Sequence, residues 1–511
     1  MVPSLKEILK PTSSARRINV ETVMILILFL ILRLGTANTS SIIFPIIGII
    51  LLIGLINSNS VFGFIFVLYD MCALAEQVST DSWQLGNIMR FSDLEFLILF
   101  MIGVQKGGLT YKGKYFNRLN KPFKFLFILV GFTIIYSSLF YEPYGAFRTV
   151  RVILYNSLIF IMPAYFIELD DLKKAFKYVF ILICISTLIS VGGFIVNNSQ
   201  IITPFNKGLG ESGRIWAEAS QKYEKFRIYG GIGCSGMGVP FNFFSIIFFM
   251  ALWFFDVRKG ISVNAIFIIA IILEILALGR SSLGGILIAL VTFLALSPRI
   301  SKRANQILKL LLLGLALSIA VTVTSESYLV SKFTGRFSQL YQDIFERGEG
   351  TASMRFDYFR AANEVMDYSG GNIFTGLGYR TFPGHYGDIF NIGQFSLMEF
   401  QQSGQPIQTT SMDSGWANVY FTTGLVGIMF FIWFIVYYIK TSYKILISQK
   451  DILIKALSLT LFATFIIFPF MFMGVNLIYG KSIPFISQFI LLIGFLGLWI
   501  DYTAKNKIGV K

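Results

Sequence analysis

One histidine and three cysteines in 511 residues make neither a metal ligand set nor a disulfide framework. Cys72 and Cys184 fall in apolar runs and Cys234 in a polar segment, a scatter that carries no information about redox compartment. Charge is sparse, at 14% of residues, and acidic charge sparser, with 28 Asp and Glu against 43 Lys and Arg. No Asp-x-Asp pair occurs in the two long polar segments, residues 198–238 and 324–413, which agrees with chemistry that uses no metal. No Ala-x-Ala cleavage site follows the first apolar run, so that run reads as an uncleaved span.

What the chain has in abundance is apolar length. Hydrophobic residues make up 55% of it and its mean hydropathy is +0.69, a composition that excludes a soluble globular protein. Apolar runs, most of them ~17–24 residues long and so able to cross ~30 Å of hydrocarbon, occupy residues 19–37, 41–57, 60–77, 93–106, 124–141, 149–167, 177–197, 239–256, 262–279, 282–298, 307–323, 415–439, 455–475 and 482–501. The expectation is an all-α polytopic membrane protein of about fourteen spans.

The net charge of +15 follows that topology. When successive loops are assigned to alternate sides, 26 of the 43 basic residues fall in one set, which the positive-inside rule makes cytoplasmic. Both termini are then inside, and the two long polar segments are outside. Topology and lipid contact account for the basic charge, and no nucleic-acid partner is expected. The chain divides into N-terminal spans (1–197), a first external loop (198–238), central spans (239–323), a large external loop (324–413) and C-terminal spans (414–511).

The large loop carries helical periodicity. Phe337, Leu340, Tyr341, Ile344 and Phe345 recur at the spacing of one helix face, opposite Arg336, Gln339, Asp343, Glu346 and Arg347, as in a helix lying on a membrane surface. A second helix presents Tyr358, Phe359, Ala362, Val365 and Met366, with Arg355 on the same face and Arg360 within the same stretch. Gly370 and Gly371 end it, Gly376-Leu377-Gly378 forms a turn where backbone can approach a ligand, and Asp413-Ser414 stands at the threshold of the next span.

Cations recur where apolar sequence makes them costly. Arg148 and Arg151 share one face at the outer end of the sixth span, placed either to meet an anionic ligand or to reach lipid phosphates. Arg33 and Asp70 lie deeper, where an unpaired charge costs roughly 2.5–3.5 kcal/mol or more. Each needs a partner and each can be the other's, as a structural pair or a functional one. Arg227 precedes a glycine-dense turn, 230–236, in which a fixed cation can bind phosphate or simply be solvated. Arg280, in Gly279-Arg280-Ser281-Ser282, sits between two apolar runs and points to a polar cavity.

The order of these elements resembles a known family. An external arginine with a glycine turn (Arg227 to Gly230), a Gly-Arg-Ser-Ser joint (Arg280) and a long loop with Arg355, Gly376-Leu377-Gly378 and Asp413 precede a span that opens with Tyr420 to Gly427. Together they resemble the O-antigen polymerase (Wzy) and O-antigen ligase family of lipid-linked polysaccharide glycosyltransferases. The resemblance implies a GT-C-like membrane enzyme, free of metal and cofactor, whose donor is an oligosaccharide on undecaprenyl diphosphate. It implies that Arg227 and Arg280 bind the diphosphate, that Arg355 lines the same cavity, and that the position of Asp413 acts on the acceptor. Arg360, Arg148, Arg151, Gly376 and Gly378 are further candidates for substrate contact. A protein that sets chain length is a partner implied by the family alone.

The ligases of that family have a histidine followed by asparagine where this chain has Asp413-Ser414, and the single histidine, His385, lies in mid-loop. That departure favours a polymerase on the outer face of the cytoplasmic membrane, with a ligase acting on lipid A core or protein as the alternative. Asp413 is placed either as the base for the acceptor hydroxyl or as a helix cap. A lipid-linked oligosaccharide flippase is the rival from another class, although no repeat between halves appears, as transporters often show.

Overall fold

A computed structural model describes residues 19–35, 41–70, 84–85, 89–107, 113–140, 163–167, 171–198, 240–255, 257, 264–265, 267–271, 280–300, 359, 362–363, 366–367, 371–376, 378, 415–474, 493–494 and 496–504. The elements in order are α1 (Val20–Gly35), α2 (Ile43–Ser58), α3 (Ser60–Tyr69), β1 (Gln84–Leu85), β2 (Met89–Arg90), α4 (Phe91–Gly107), α5 (Lys114–Phe140), α6 (Pro163–Phe166), α7 (Leu172–Asn198), α8 (Pro240–Phe254), α9 (Arg280–Ile300), α10 (Gly415–Ser448) and α11 (Ile452–Gly474). The two short strands form one antiparallel hairpin; the other named elements are helices.

Three of these helices are long and apolar enough to cross a membrane, within Lys114–Tyr136, Gly415–Ser448 and Ile452–Phe472. Their surfaces show what solvent they suit. On α5, Phe125, Ile128, Phe132, Ile135 and Leu139 form an exposed stripe at helical spacing, while Phe123, Leu126, Val130 and Thr133 turn inward. On α10, Met429, Ile432 and Val436 face out, and Phe431, Phe434 and Tyr438 are buried. An apolar stripe of that extent suits hydrocarbon rather than water.

Neighbouring helices therefore cohere by shape and by polar links, since lipid tails are as apolar as leucine. In one group α1, α2, α3, α4, α6 and α7 pack together; in the other, α10 and α11 form an antiparallel pair with α5, α8 and α9 against it. The groups meet where α7 touches α8. Aromatic rings supply much of the fit. Tyr438 stacks on Phe465 at 4.6 Å, Phe64 on Phe166 at 4.7 Å, and Phe176 meets Trp499 edge to face at 5.2 Å.

A set of long-range hydrogen bonds ties one end of the array. Thr22 bonds Ser58 at 3.0 Å, and Asn59 donates to the Tyr178 hydroxyl at 3.3 Å. Asp501 accepts from the backbone of Tyr115 and Phe116 at 3.0 and 3.1 Å, capping α5 from 385 positions away. The hydroxyls of Tyr437 and Tyr438 donate to the carbonyls of Arg118 and Leu119. Those contacts, with Phe176 against Trp499, bring the starts of α1, α5 and α7, the α2–α3 joint and the end of α10 to one end. Lys114, Arg118, Lys121 and Lys124, Lys173, Lys174 and Lys177, and Lys440 and Lys444 all lie there.

Several boundaries differ from the sequence reading; α10 continues to Ser448, into the basic stretch read as a loop after 439, and α7 begins at Leu172. Helix α5 begins at Lys114, inside the stretch read as a basic loop, because Asp501 supplies its first backbone donors with an acceptor. Helix α9 begins at Arg280 itself, so the short joint read between two spans is already the first turn of a helix.

Candidate functional site

Where the large loop returns to the membrane, α10 is broken. Gly424 has φ 62° and ψ −156°, angles that only glycine adopts readily, and it lies nine residues into a helix that starts at Gly415. Past such a break the next backbone donors lose their partners in the preceding turn. In hydrocarbon, orphaned donors would each cost several kcal/mol. A turn of the loop satisfies them instead: Leu425 N–H donates to Ile373 O at 2.9 Å and Val426 N–H to Phe374 O at 3.2 Å. Gly378 N–H donates in return to Thr422 O at 2.9 Å, at the end of the first half-helix.

The turn is built locally to fit. Gly376 N–H donates to Asn372 O at 2.7 Å, and the Asn372 side chain accepts from Phe374 N–H at 2.8 Å. Gly376 has φ 66°, and a Cβ there would stand 2.6 Å from the carbonyl oxygen of Phe421. At Gly424 a Cβ would stand 2.5 Å from the carbonyl oxygen of Ile373. The two backbones thus touch directly. Gly376 and Gly378 were singled out as a place for close backbone approach, and the approach found is to α10; no ligand is needed to account for either.

Above this junction the second loop helix packs as its periodicity predicts, wherever its residues are described. Ala362 and Met366 are fully buried, and the ring of Phe359 lies 5.8 Å from that of Tyr420 on α10. The Tyr420 hydroxyl donates to Asn363 Oδ1 at 2.5 Å. The loop is therefore seated on the first half of α10 by a ring contact, a hydroxyl and the turn below.

Helices α8 and α9 pack together, with Phe254 at the end of α8 meeting Phe293 on α9 at 5.8 Å. Arg280 is placed by its backbone alone. Arg227, Arg355, Arg360, Arg148, Arg151 and Asp413 lie outside the described residues, as do His385 and the 336–347 helix. Among the described residues, no three His, Cys, Asp or Glu side chains are grouped so as to hold a metal ion.

A second polar centre lies within the N-terminal group. Arg33 Nε on α1 stands 3.5 Å from Asp70 Oδ1 at the end of α3, with side-chain exposures of 3% and 0%. The pairing of these two charges, open in the sequence, is thus found. The guanidinium also lies over the Phe91 ring, 5.1 Å from its centroid. Glu95 on α4, fully buried, approaches Asp70 and interacts electrostatically with Arg33 as well. Tyr69 bonds Ser186 on α7 beside them. Glu95 was not among the sequence candidates. The signal available was the pair of acids, Asp93 and Glu95, opening an otherwise apolar run, where a buried carboxylate needs a partner.

No protein-family model matches the chain, and no curated protein matches it closely enough to count as a relative.

Proposed function

We propose that the chain is a polysaccharide polymerase of about fourteen spans that works on lipid-linked repeat units at the outer face of the cytoplasmic membrane. What supports this most is the turn of the large loop seated on the break in α10, through Leu425 N–H to Ile373 O and Gly378 N–H to Thr422 O. Arg280 opens α9, the helix that packs on α8 and α11. Basic residues gathered at the end tied by Asp501 and Tyr437 support an interior assignment for that end. The loop seated on α10 would then face outside.

In this reading Arg227 and Arg280 grip the diphosphate of an undecaprenyl-linked glycan, with Arg355 and Arg360 along the same cavity. Guanidiniums match phosphate oxygens in bidentate fashion, and they hold the leaving group more tightly as negative charge gathers on it. The hydroxyl at the non-reducing end of a new repeat unit attacks the anomeric carbon. The bond from that carbon to the diphosphate oxygen breaks, the electron pair leaves with the diphosphate, and Asp413 takes the hydroxyl proton. Displacement of this kind inverts the anomeric centre. The growing chain moves to the new lipid carrier and the old carrier is released.

Arg280→Ala and Arg280→Lys test the reading, scored as the ladder of lipid-linked glycan in cells lacking the native gene, with expression checked. Loss of the ladder by about 10²–10³-fold in Arg280→Ala, with single repeat units left on the outer face, is the expected result. Normal ladders from both variants would move the site elsewhere. Repeat units retained on the inner face would make the protein a flippase.

A further inference from the structure

Among described side chains, the charged and titratable groups around Glu95 are Arg33 on α1, Tyr69 and Asp70 at the end of α3, and Asp93 on α4 itself. Tyr165 on α6 packs on α4 at Gly103, about 12 Å further along the helix. Helix α2 has no ionisable side chain, and Ser186 is the polar contact from α7. The centre thus sets two carboxyl groups, each 0% exposed, against the one guanidinium that pairs with Asp70.

If both carboxyls were ionised, neither could donate to the other. All four of their oxygens lack a hydrogen-bond donor among the described residues, at complete burial. A buried carboxylate with no donor is among the costliest groups a fold can carry. Asp70 has Arg33 as its counter-charge at 3.5 Å, whereas Glu95 has, among the described residues, its approach to Asp70 and an electrostatic interaction with Arg33. One proton resolves the arrangement. Placed on Glu95, it makes that carboxyl a donor to ionised Asp70, supplies the missing hydrogen bond and leaves one negative charge facing one positive charge.

We propose that Glu95 and Asp70 form a proton-binding site inside the helix array, with the proton resident on Glu95 and donated to Asp70, and Arg33 balancing the charge that remains. The site links α1, α3 and α4 at the end opposite the basic one. It is independent of the polymerase reading. Because the folded chain holds one proton more than the same carboxyls do when unfolded at neutral pH, folding stability falls as pH rises, by up to about tenfold in the folded-to-unfolded ratio per pH unit.

The test uses the full chain purified into detergent or lipid nanodiscs. Infrared spectra of the wild type should show the carbonyl band of a protonated, desolvated carboxylic acid, and thermal unfolding should occur at progressively lower temperature from mildly acidic to alkaline pH. Glu95→Gln keeps a donor toward Asp70 without a titratable proton. It should fold, lose that band and lose the pH dependence. Absence of a protonated-carboxyl band in the wild type, or its persistence in Glu95→Gln, would overturn the proposal. So would stability that follows sodium concentration and not pH, which would make the ligand a metal cation. If Glu95→Gln does not fold, the wild-type band and its titration decide alone.

Discussion

The centre at Arg33 and the break at Gly424 solve the same problem by opposite means. Both put polar groups among apolar helices, and both join sequence-distant segments. The first uses charged side chains on intact helices, so its energy lies in an ion pair that is favourable only while complete. The second uses backbone groups of a helix that has been opened, so its energy lies in donors and acceptors exchanged with a turn. Side chains can be exchanged for neutral ones of similar shape. A backbone junction with no room for a Cβ tolerates nothing but glycine.

The largest effect expected at either place is from Arg33→Ala. Removing one partner of a buried pair leaves the Asp70 charge uncompensated and destabilises by about 3–5 kcal/mol, read as thermal unfolding in detergent; Asp70→Asn in the same background should recover much of it. Recovery would confirm that the cost lies in the orphaned charge. Gly424→Ala comes next. Its strained φ costs about 1–3 kcal/mol, and the Cβ also pushes on Ile373 O, so the turn should detach and limited proteolysis should cut within 371–378 faster. An unchanged cleavage pattern would mean that the turn does not depend on the break.

Smaller effects sharpen the contrast. Tyr420→Phe removes one hydroxyl donor to Asn363 and should cost about 1 kcal/mol, without the proteolytic change. Asp501→Ala removes the cap shared by Tyr115 and Phe116 and should cost about 0.5–2 kcal/mol, at the end of the array remote from both centres. A double variant with Gly424→Ala should therefore be additive with it, whereas Gly424→Ala with Gly376→Ala should not, because those two positions share one contact.

Much of the helical framework was legible from apolar run length, since the thickness of hydrocarbon dictates how long an uninterrupted helix must be. The cost of an isolated charge likewise marked Arg33 and Asp70 as residues in need of partners. Glu95 escaped notice because its position beside Asp93 looks like the acidic first turn of a helix, which is an ordinary place for carboxylates. Helical spacing marked the buried faces of Ala362 and Met366. By contrast Gly424 sits in Thr423-Gly424-Leu425, where nothing local announces a break, and a glycine inside an apolar span is commonplace.

What the sequence by itself determined is a helical chain with helices long and apolar enough to cross a membrane, and the need of Arg33 and Asp70 for partners, because each follows from transfer of single groups between water and hydrocarbon. Only the tertiary structure decided which carboxylate joins the Arg33 pair, that Asp501 caps α5, and that the loop turn fills the gap in α10. The last two depend on donors and acceptors 44 to 386 positions apart meeting at hydrogen-bond distance, which local pattern does not encode.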